Sequence, residues 1–172
     1  LYRFADYYLN SDSLSSLGKQ ILDRSIPKFL NSEDQKTSSD SNQIFEDLIK
    51  LSSSLDNSYF IIQGPPGTGK TFYSSAIIMS LLKNGKKIGI TSNSHKAIHN
   101  LLDAVEKQSA KTDFKFVGIK KGATNSEAYY QNKNFRSSSR IDNEIIKDAD
   151  LIAGTAWCFV DQIFENKLDY LF

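Results

Sequence analysis

Cysteine is almost missing from this sequence: Cys158 stands alone. A lone cysteine can build neither a disulfide framework nor a cysteine-based zinc site, and it suits a reducing compartment, so a cytoplasmic protein is the default expectation. Long apolar runs are missing too. The longest, residues 76–82, is interrupted by Ser80 and stops at Lys83, well short of the roughly 18 residues that cross a bilayer, and no membrane partner is expected. Neither sign of charge dominates, because 21 Lys+Arg against 20 Asp+Glu leave a net +1 over 172 residues. With 40% hydrophobic residues, the chain lies outside the low-hydrophobicity, high-charge regime of disorder and is long enough for one domain with a real core. Methionine is absent from position 1 and no basic-then-apolar leader follows Leu1, so the sequence is expected to be an excerpt.

What is present is unevenly spread. Residues 1–57 carry 6 Lys+Arg and 9 Asp+Glu, a balance of −3, whereas residues 58–172 carry 15 and 11, a balance of +4. The second part can therefore meet a polyanion, although its charge does not require one. Serine supplies 23 residues, clustered at 11–16, 38–41, 52–54 and 137–139, which mark boundaries and loops. Leu14, Leu17, Ile21 and Leu22 predict a helix within 13–29 that Pro27 ends or kinks. Residues 31–42 have no apolar side chain and read as a linker, and Ile44, Leu48, Leu51 and Leu55 then predict an amphipathic helix over 43–54. After that, short apolar strands (59–62, 87–91, 114–119, 150–153, 169–172) alternate with helices (71–83, 95–108). Such alternation implies crossover connections and a mostly parallel, three-layer α/β sheet. Residues 120–140 follow neither period and are long for a connection, so they are expected to be functional or mobile.

The run Gly64, Pro65, Pro66, Gly67, Thr68, Gly69, Lys70, Thr71 fits GxxxxGK[ST] and lies between the expected strand 59–62 and an apolar helix, the context that a phosphate-binding loop requires. Glycines let backbone N–H groups approach phosphate oxygens, and the helix that follows adds its N-terminal dipole and unpaired donors. In such a loop Lys70 reaches the β- and γ-phosphates of a nucleotide such as ATP, and the Thr71 hydroxyl ligates Mg²⁺. Hydrolysis also needs an acid after a later strand, yet no Asp-Glu pair follows an apolar strand downstream of the loop.

GPPGTGKT followed by ITSNSHKAIHNLLDAV resembles motifs I and Ia of superfamily 1 helicases, in the 5′-to-3′ branch that includes the nonsense-decay helicases. ADLIAGTAW and LDYLF are similar to that family's next strand and to the strand leading into its DEA-type Walker B motif. The nearest likeness is to bacterial proteins that fuse a RecB-like nuclease to such a helicase. The resemblance covers about residues 42–172 and implies most of a first RecA-like P-loop NTPase lobe, ending before Walker B, with residues 1–41 a helical segment and linker that match nothing. It implies an ATP-dependent helicase or translocase with ATP and Mg²⁺ as cofactors and single-stranded DNA or RNA as partner. The further partners are the rest of its own motor domain, namely the Walker B strand and a second RecA-like lobe, and a fused RecB-like nuclease. The isolated piece is expected to be inactive. A protein-remodelling P-loop ATPase and a non-catalytic nucleotide-binding module remain the alternatives.

The resemblance assigns Gln43 to the adenine, the 92–96 segment (Ser92, Asn93, Ser94 and Lys96) to nucleic-acid backbone, and Thr155 to the same groove. From the residues alone, Ser92–Asn93–Ser94 also reads as a helix cap. His95 and His99 have the i, i+4 spacing of a zinc pair, but Lys96 stands where a metalloprotease has Glu, and no metal site is expected there. Trp157 and Phe159 read as core or interface packing in preference to a base-stacking platform. Lys115, Lys120, Lys121, Lys133, Arg136 and Arg140 could line a basic rim, with Tyr129, Tyr130 and Phe135 as stacking faces, although charge runs are usually solvated.

Overall fold

In the computed structural model, which describes residues 17–31, 41–124 and 126–172, the chain separates into two units, Leu1–Pro65 and Pro66–Phe172. The first holds helices α1 (Leu17–Leu22) and α2 (Ser41–Ser53). The helix expected up to Pro27 ends five residues earlier, because Arg24 turns left-handed (φ +51) and Ser25 N–H reaches back to the Gln20 carbonyl at 2.9 Å. Residues 13–16 of that expected helix and residues 32–40 of the expected linker lie outside the described residues, and Ser41 and Asn42 already belong to α2.

Buried Gln20 organises this unit. Its side-chain amide donates to the Asn57 carbonyl and its carbonyl accepts from Ser58 Oγ, each at 2.9 Å. An antiparallel bridge between Phe29 and Leu55 closes the same region. The strand expected over 59–62 does not form. Its apolar side chains suit a strand, but a strand exists through its ladder, and these residues carry no strand pairing, with Ile61 76% exposed.

The second unit begins with α3 (Lys70–Lys83), whose residues Ser75–Met79, Leu81 and Leu82 are all buried. There follow β1 (Ile88–Thr91), α4 (His95–Thr112), β2 (Gly118–Lys121), β3 (Phe135–Ser138), α5 (Asn143–Asp148), β4 (Leu151–Gly154), 3₁₀ turns at Ala156–Val160 and Gln162–Phe164, and β5 (Tyr170–Leu171). The strands form one parallel sheet in the order β3-β2-β4-β1-β5, with Ile88 opposite Leu151 and Thr91 opposite Gly154.

Alternation along the strands sends side chains to two packed layers. Helices α3 and α4 pack on each other, α3 also against β1 and α4 against β4. Ile119 and Ile152 face the other way into a cluster with Ile146 of α5, Cys158 and Phe164. The fold is α/β, a parallel sheet between helical layers, as the alternation of strands and helices predicts.

Two boundaries differ from expectation. The strand expected over 114–119 lies at Gly118–Lys121, because Val117 is already bonded to Asp150, its N–H donating to Oδ2 at 2.8 Å and its carbonyl accepting from Asp150 N–H at 2.9 Å. The stretch 120–140 contains β3, which its polar sequence hides, and is fastened down. Buried Glu106 of α4 accepts from Asn134 N–H at 2.6 Å and from Asn134 Nδ2 at 2.8 Å, and Nδ2 also donates to Ser109 Oγ at 2.9 Å.

Glu106→Met keeps most of the volume but strands two donors of Asn134, each costing about 1–3 kcal/mol when left unpaired in the interior. Urea unfolding of this variant is expected to show a loss of about 2–3 kcal/mol with an unchanged m-value. A change under 0.5 kcal/mol, the size of an ordinary surface substitution, would show that this carboxylate does not hold the loop.

Candidate functional site

The glycine-rich loop passes from one unit to the other, with Gly64 and Pro65 closing the first and Pro66 opening the second. Gly67 and Gly69 both take left-handed backbone angles, φ +84 and +82. A side chain there would be strained, and at Gly69 a Cβ would also press on the Tyr73 ring at 3.3 Å. Gly69 is the N-cap of α3, and Lys70 and Thr71 are its first residues. No side chain caps this helix start, so its first N–H groups keep the donor and dipole character that favours anions.

The fourteen residues of α3 span about 21 Å, and the short turn after Lys83 delivers the chain to the start of β1. The helix therefore runs back along the sheet, and Lys70 lies toward the carboxyl ends of the strands. In open parallel sheets that is where ligands bind.

The segments after β1 and β4 reach the same edge, because Thr91 and Gly154 are partners in the ladder. Ser92 and Thr155 are the next residues. Ser94 caps α4, its hydroxyl accepting from Ala97 N–H at 3.4 Å, and Ser92 Oγ accepts from Ser94 N–H at 3.3 Å. The capping geometry leaves Asn93 and Lys96 exposed. Thr155 precedes the 3₁₀ turn without a side-chain cap bond. Gln43 sits on α2 in the first unit, its Nε2 donating to Asp47 Oδ1 at 3.3 Å.

The expected basic rim does not exist as one surface. Lys115 and Lys133 lie ahead of β2 and β3, whereas Lys121 and Arg140 lie at or beyond their far ends, and Arg136 projects from β3 at the sheet's border. Phe135 is buried, Tyr130 donates to Asp103 Oδ1 at 2.7 Å, and Tyr129 is exposed. Lys120 is fully buried: its Nζ donates to the Lys121 carbonyl at 2.7 Å and lies 3.3 Å from His95 Nδ1. Burial holds the Lys120 amine below the ordinary lysine range, with Cys158 acting weakly in the opposite sense.

His99 lies between His95 and Tyr130, with ring centroids 6.4 and 5.1 Å away. Burial, then the Lys120 charge, lowers its pKa. Burial likewise raises the Cys158 thiol and the Tyr130 phenol, leaving both in their neutral forms. Among the described residues no three metal-ligating side chains gather. Asp169, the acid nearest β5, turns to the opposite end of the sheet, where its Oδ2 accepts from Lys87 N–H at 2.7 Å.

Sequence reasoning missed two features of the edge. Lys120 looked like a surface charge because nothing in GIKK separates a buried from a solvated lysine. Trp157, read from sequence as core or interface packing, lies outside the core at 85% exposure, while Phe159 leans on Phe164 with ring centroids 5.1 Å apart.

A glycine-rich loop opening a helix toward the carboxyl edge of a parallel sheet defines a P-loop α/β domain. The chain belongs to the AAA domain family, whose pattern matches residues 49–162. It is also 52% identical over 44 residues to the DNA replication ATP-dependent helicase/nuclease dna2 of Schizosaccharomyces pombe, and 46% identical over 44 residues to DNA replication ATP-dependent helicase/nuclease DNA2 of Saccharomyces cerevisiae. Each match spans 26% of this chain and 3% of the relative. No helix among the described residues is long and apolar enough to cross a membrane.

The lowered pKa of Lys120 fixes a sign. The unfolded chain binds this proton up to about pH 10.5 and the folded chain releases it earlier, so the stability cost of Lys120 is fully present below its folded pKa and fades as pH rises toward 10.5. Lys120→Met is expected to flatten the rise of the urea midpoint as pH climbs toward 10.5, relative to the parent. Parallel pH profiles for the two proteins would show that Lys120 is not desolvated.

Proposed function

We propose that this chain is the ATP-binding part of an ATP-dependent nucleic-acid helicase or translocase. The observation that carries the reading is the convergence, on one sheet edge, of a glycine-shaped helix start bearing Lys70 and Thr71 with the polar segments after β1 and β4. The names of the two relatives support the same class.

The residues fit a nucleoside triphosphate. Gly67 and Gly69 adopt angles that turn backbone N–H groups inward without side chains, and the start of α3 supplies further donors. Lys70 pairs with the β- and γ-phosphates, and Gly64, Pro65, Pro66 and Thr68 complete the loop. The Thr71 hydroxyl, in the first turn, is the group that holds Mg²⁺. The ion, when bound, neutralises charge between the phosphates. Gln43 is assigned to the adenine.

Across the edge, Ser92, Asn93, Ser94, Lys96 and Thr155 hold the backbone of single-stranded DNA or RNA. Capping does not compete with that role: the Ser94 hydroxyl satisfies Ala97 N–H, while Asn93 and Lys96 remain exposed for a phosphate. We assign residues 42–172 to a first RecA-like lobe and residues 1–41 to a segment that precedes it. The rest of such a motor, comprising Walker B, a second lobe and a RecB-like nuclease, belongs to the same proposal.

Lys70→Ala removes a charge-assisted phosphate contact and is expected to weaken ATP binding by about 1.5–3 kcal/mol. Calorimetry that finds unchanged affinity removes Lys70 from the site. For nucleic acid, Lys96→Ala is expected to flatten the dependence of log K on log salt by about 0.7, the counterion release per neutralised phosphate of a single strand. Asn93→Ala is expected to cost about 0.5–1.5 kcal/mol with little change of slope. Oligonucleotide anisotropy over a range of salt measures both, and two variants that bind like the parent would move the groove elsewhere.

A further inference from the structure

We infer that Trp157 is a stacking platform for a base of single-stranded nucleic acid lying along the carboxyl edge of the sheet, an inference that rests on the function proposed above. Trp157 is the only tryptophan in the chain and is 85% exposed. The turn that bears it is well anchored: Cys158 N–H donates to the Thr155 carbonyl at 2.8 Å, and the Cys158 side chain is buried against Gly154 in the core cluster. A large indole held in water by a fixed backbone is a feature that packing does not account for.

Its position matches what a strand tracking the edge needs. Thr155 directly follows β4, Trp157 comes two residues later, and Gly154 is the ladder partner of Thr91, immediately before Ser92. Groups suited to the sugar-phosphate backbone thus lie next to an aromatic face suited to a base. Single-strand binding surfaces join those two elements, and stacking is sequence-tolerant because every base offers a π-face.

Charge favours nucleic acid over an apolar protein partner. Lys121 stands beside this turn, and its charge acts on the Cys158 thiol. A Cβ on Gly154 would lie 3.2 Å from Lys121 Cβ, so Lys121 emerges on the same face of the sheet as Cys158. Its Nζ donates to the Ser139 carbonyl, and Arg140 follows one residue later. The carboxylate of this turn, Asp161, is engaged in its own backbone, where Oδ1 accepts from Ile163 N–H at 3.1 Å.

The lone tryptophan is its own reporter. Titrating the 172-residue chain with oligothymidylate at low salt is expected to quench indole emission in parallel with the anisotropy of a labelled oligonucleotide. Trp157→Ala should weaken binding about tenfold, whereas Trp157→Phe, which keeps a π-face, should recover most of the loss. Neither variant should alter the slope of log K against log salt, because no phosphate contact is removed. The exposed position protects the fold, and circular dichroism checks it. If the oligonucleotide binds with no change in emission and Trp157→Ala binds like the parent, stacking is refuted while the helicase reading stands, and the indole then serves a protein interface. If the parent does not bind oligonucleotide at all, both readings fall.

Discussion

Parallel pairing of β1 with β4, from Ile88 opposite Leu151 to Thr91 opposite Gly154, is the constraint on which the site depends. Parallel strands cannot be joined by tight turns, so each connection must travel back along the sheet, and helices do this most economically. All carboxyl ends then open onto one edge. Here the chain after β1 enters α4 on one face, whereas the chain after β4 folds through the 3₁₀ turn over the other, with Cys158 against Gly154. The diverging exits place Ser92, Asn93 and Thr155 between them, Asn93 exposed and the other two half-buried, so polar groups gather there through topology before any ligand is considered.

The edge is also where local rules of stability are broken. Gly67 and Gly69 are strained for any other residue, Thr91 Oγ1 and His99 Nε2 are buried without a hydrogen-bond partner among the described residues, Lys120 is buried among histidines, and Trp157 stands in water. At the opposite end of the sheet the same chemistry is satisfied. Lys87 Nζ donates to the carbonyls of Ile146, Lys147 and Ala149 at 2.8–2.9 Å, its N–H bonds Asp169, and Asp150 closes Val117. Two ends of one sheet, built from similar residues, differ in whether polar groups are paired. Concentrated exceptions of this kind mark functional surfaces.

Much of this was legible from periodicity. Helices α3 and α4 and strands β1 and β4 carry apolar patterns that only one secondary structure satisfies, and the glycine loop announced the start of α3. What was hidden depends on partners distant in sequence. β3 reads FRSS and has no pattern of its own; it pairs with β2 while Glu106, 28 residues before Asn134, holds the preceding loop. The expected strand at 59–62 failed for the converse reason, since its side chains suit a strand but its backbone has no ladder. Lys120 was misplaced because composition gives average burial, and it is an exception to its residue type.

Lys120 shows why such an exception matters beyond its contacts. An exposed lysine at the edge is screened by salt within about 8–10 Å, whereas a charge enclosed by protein is screened far less. While protonated, Lys120 therefore projects a positive potential that Lys96, exposed on α4, cannot replace. The potential opposes protonation of its neighbour His99, whose pKa is lowered by burial first and by Lys120 next. The His99 imidazole is thus kept neutral near pH 7. His99 therefore adds no positive charge to this edge near pH 7. The ladder fixes where the edge lies, and Lys120, while protonated, contributes to its sign.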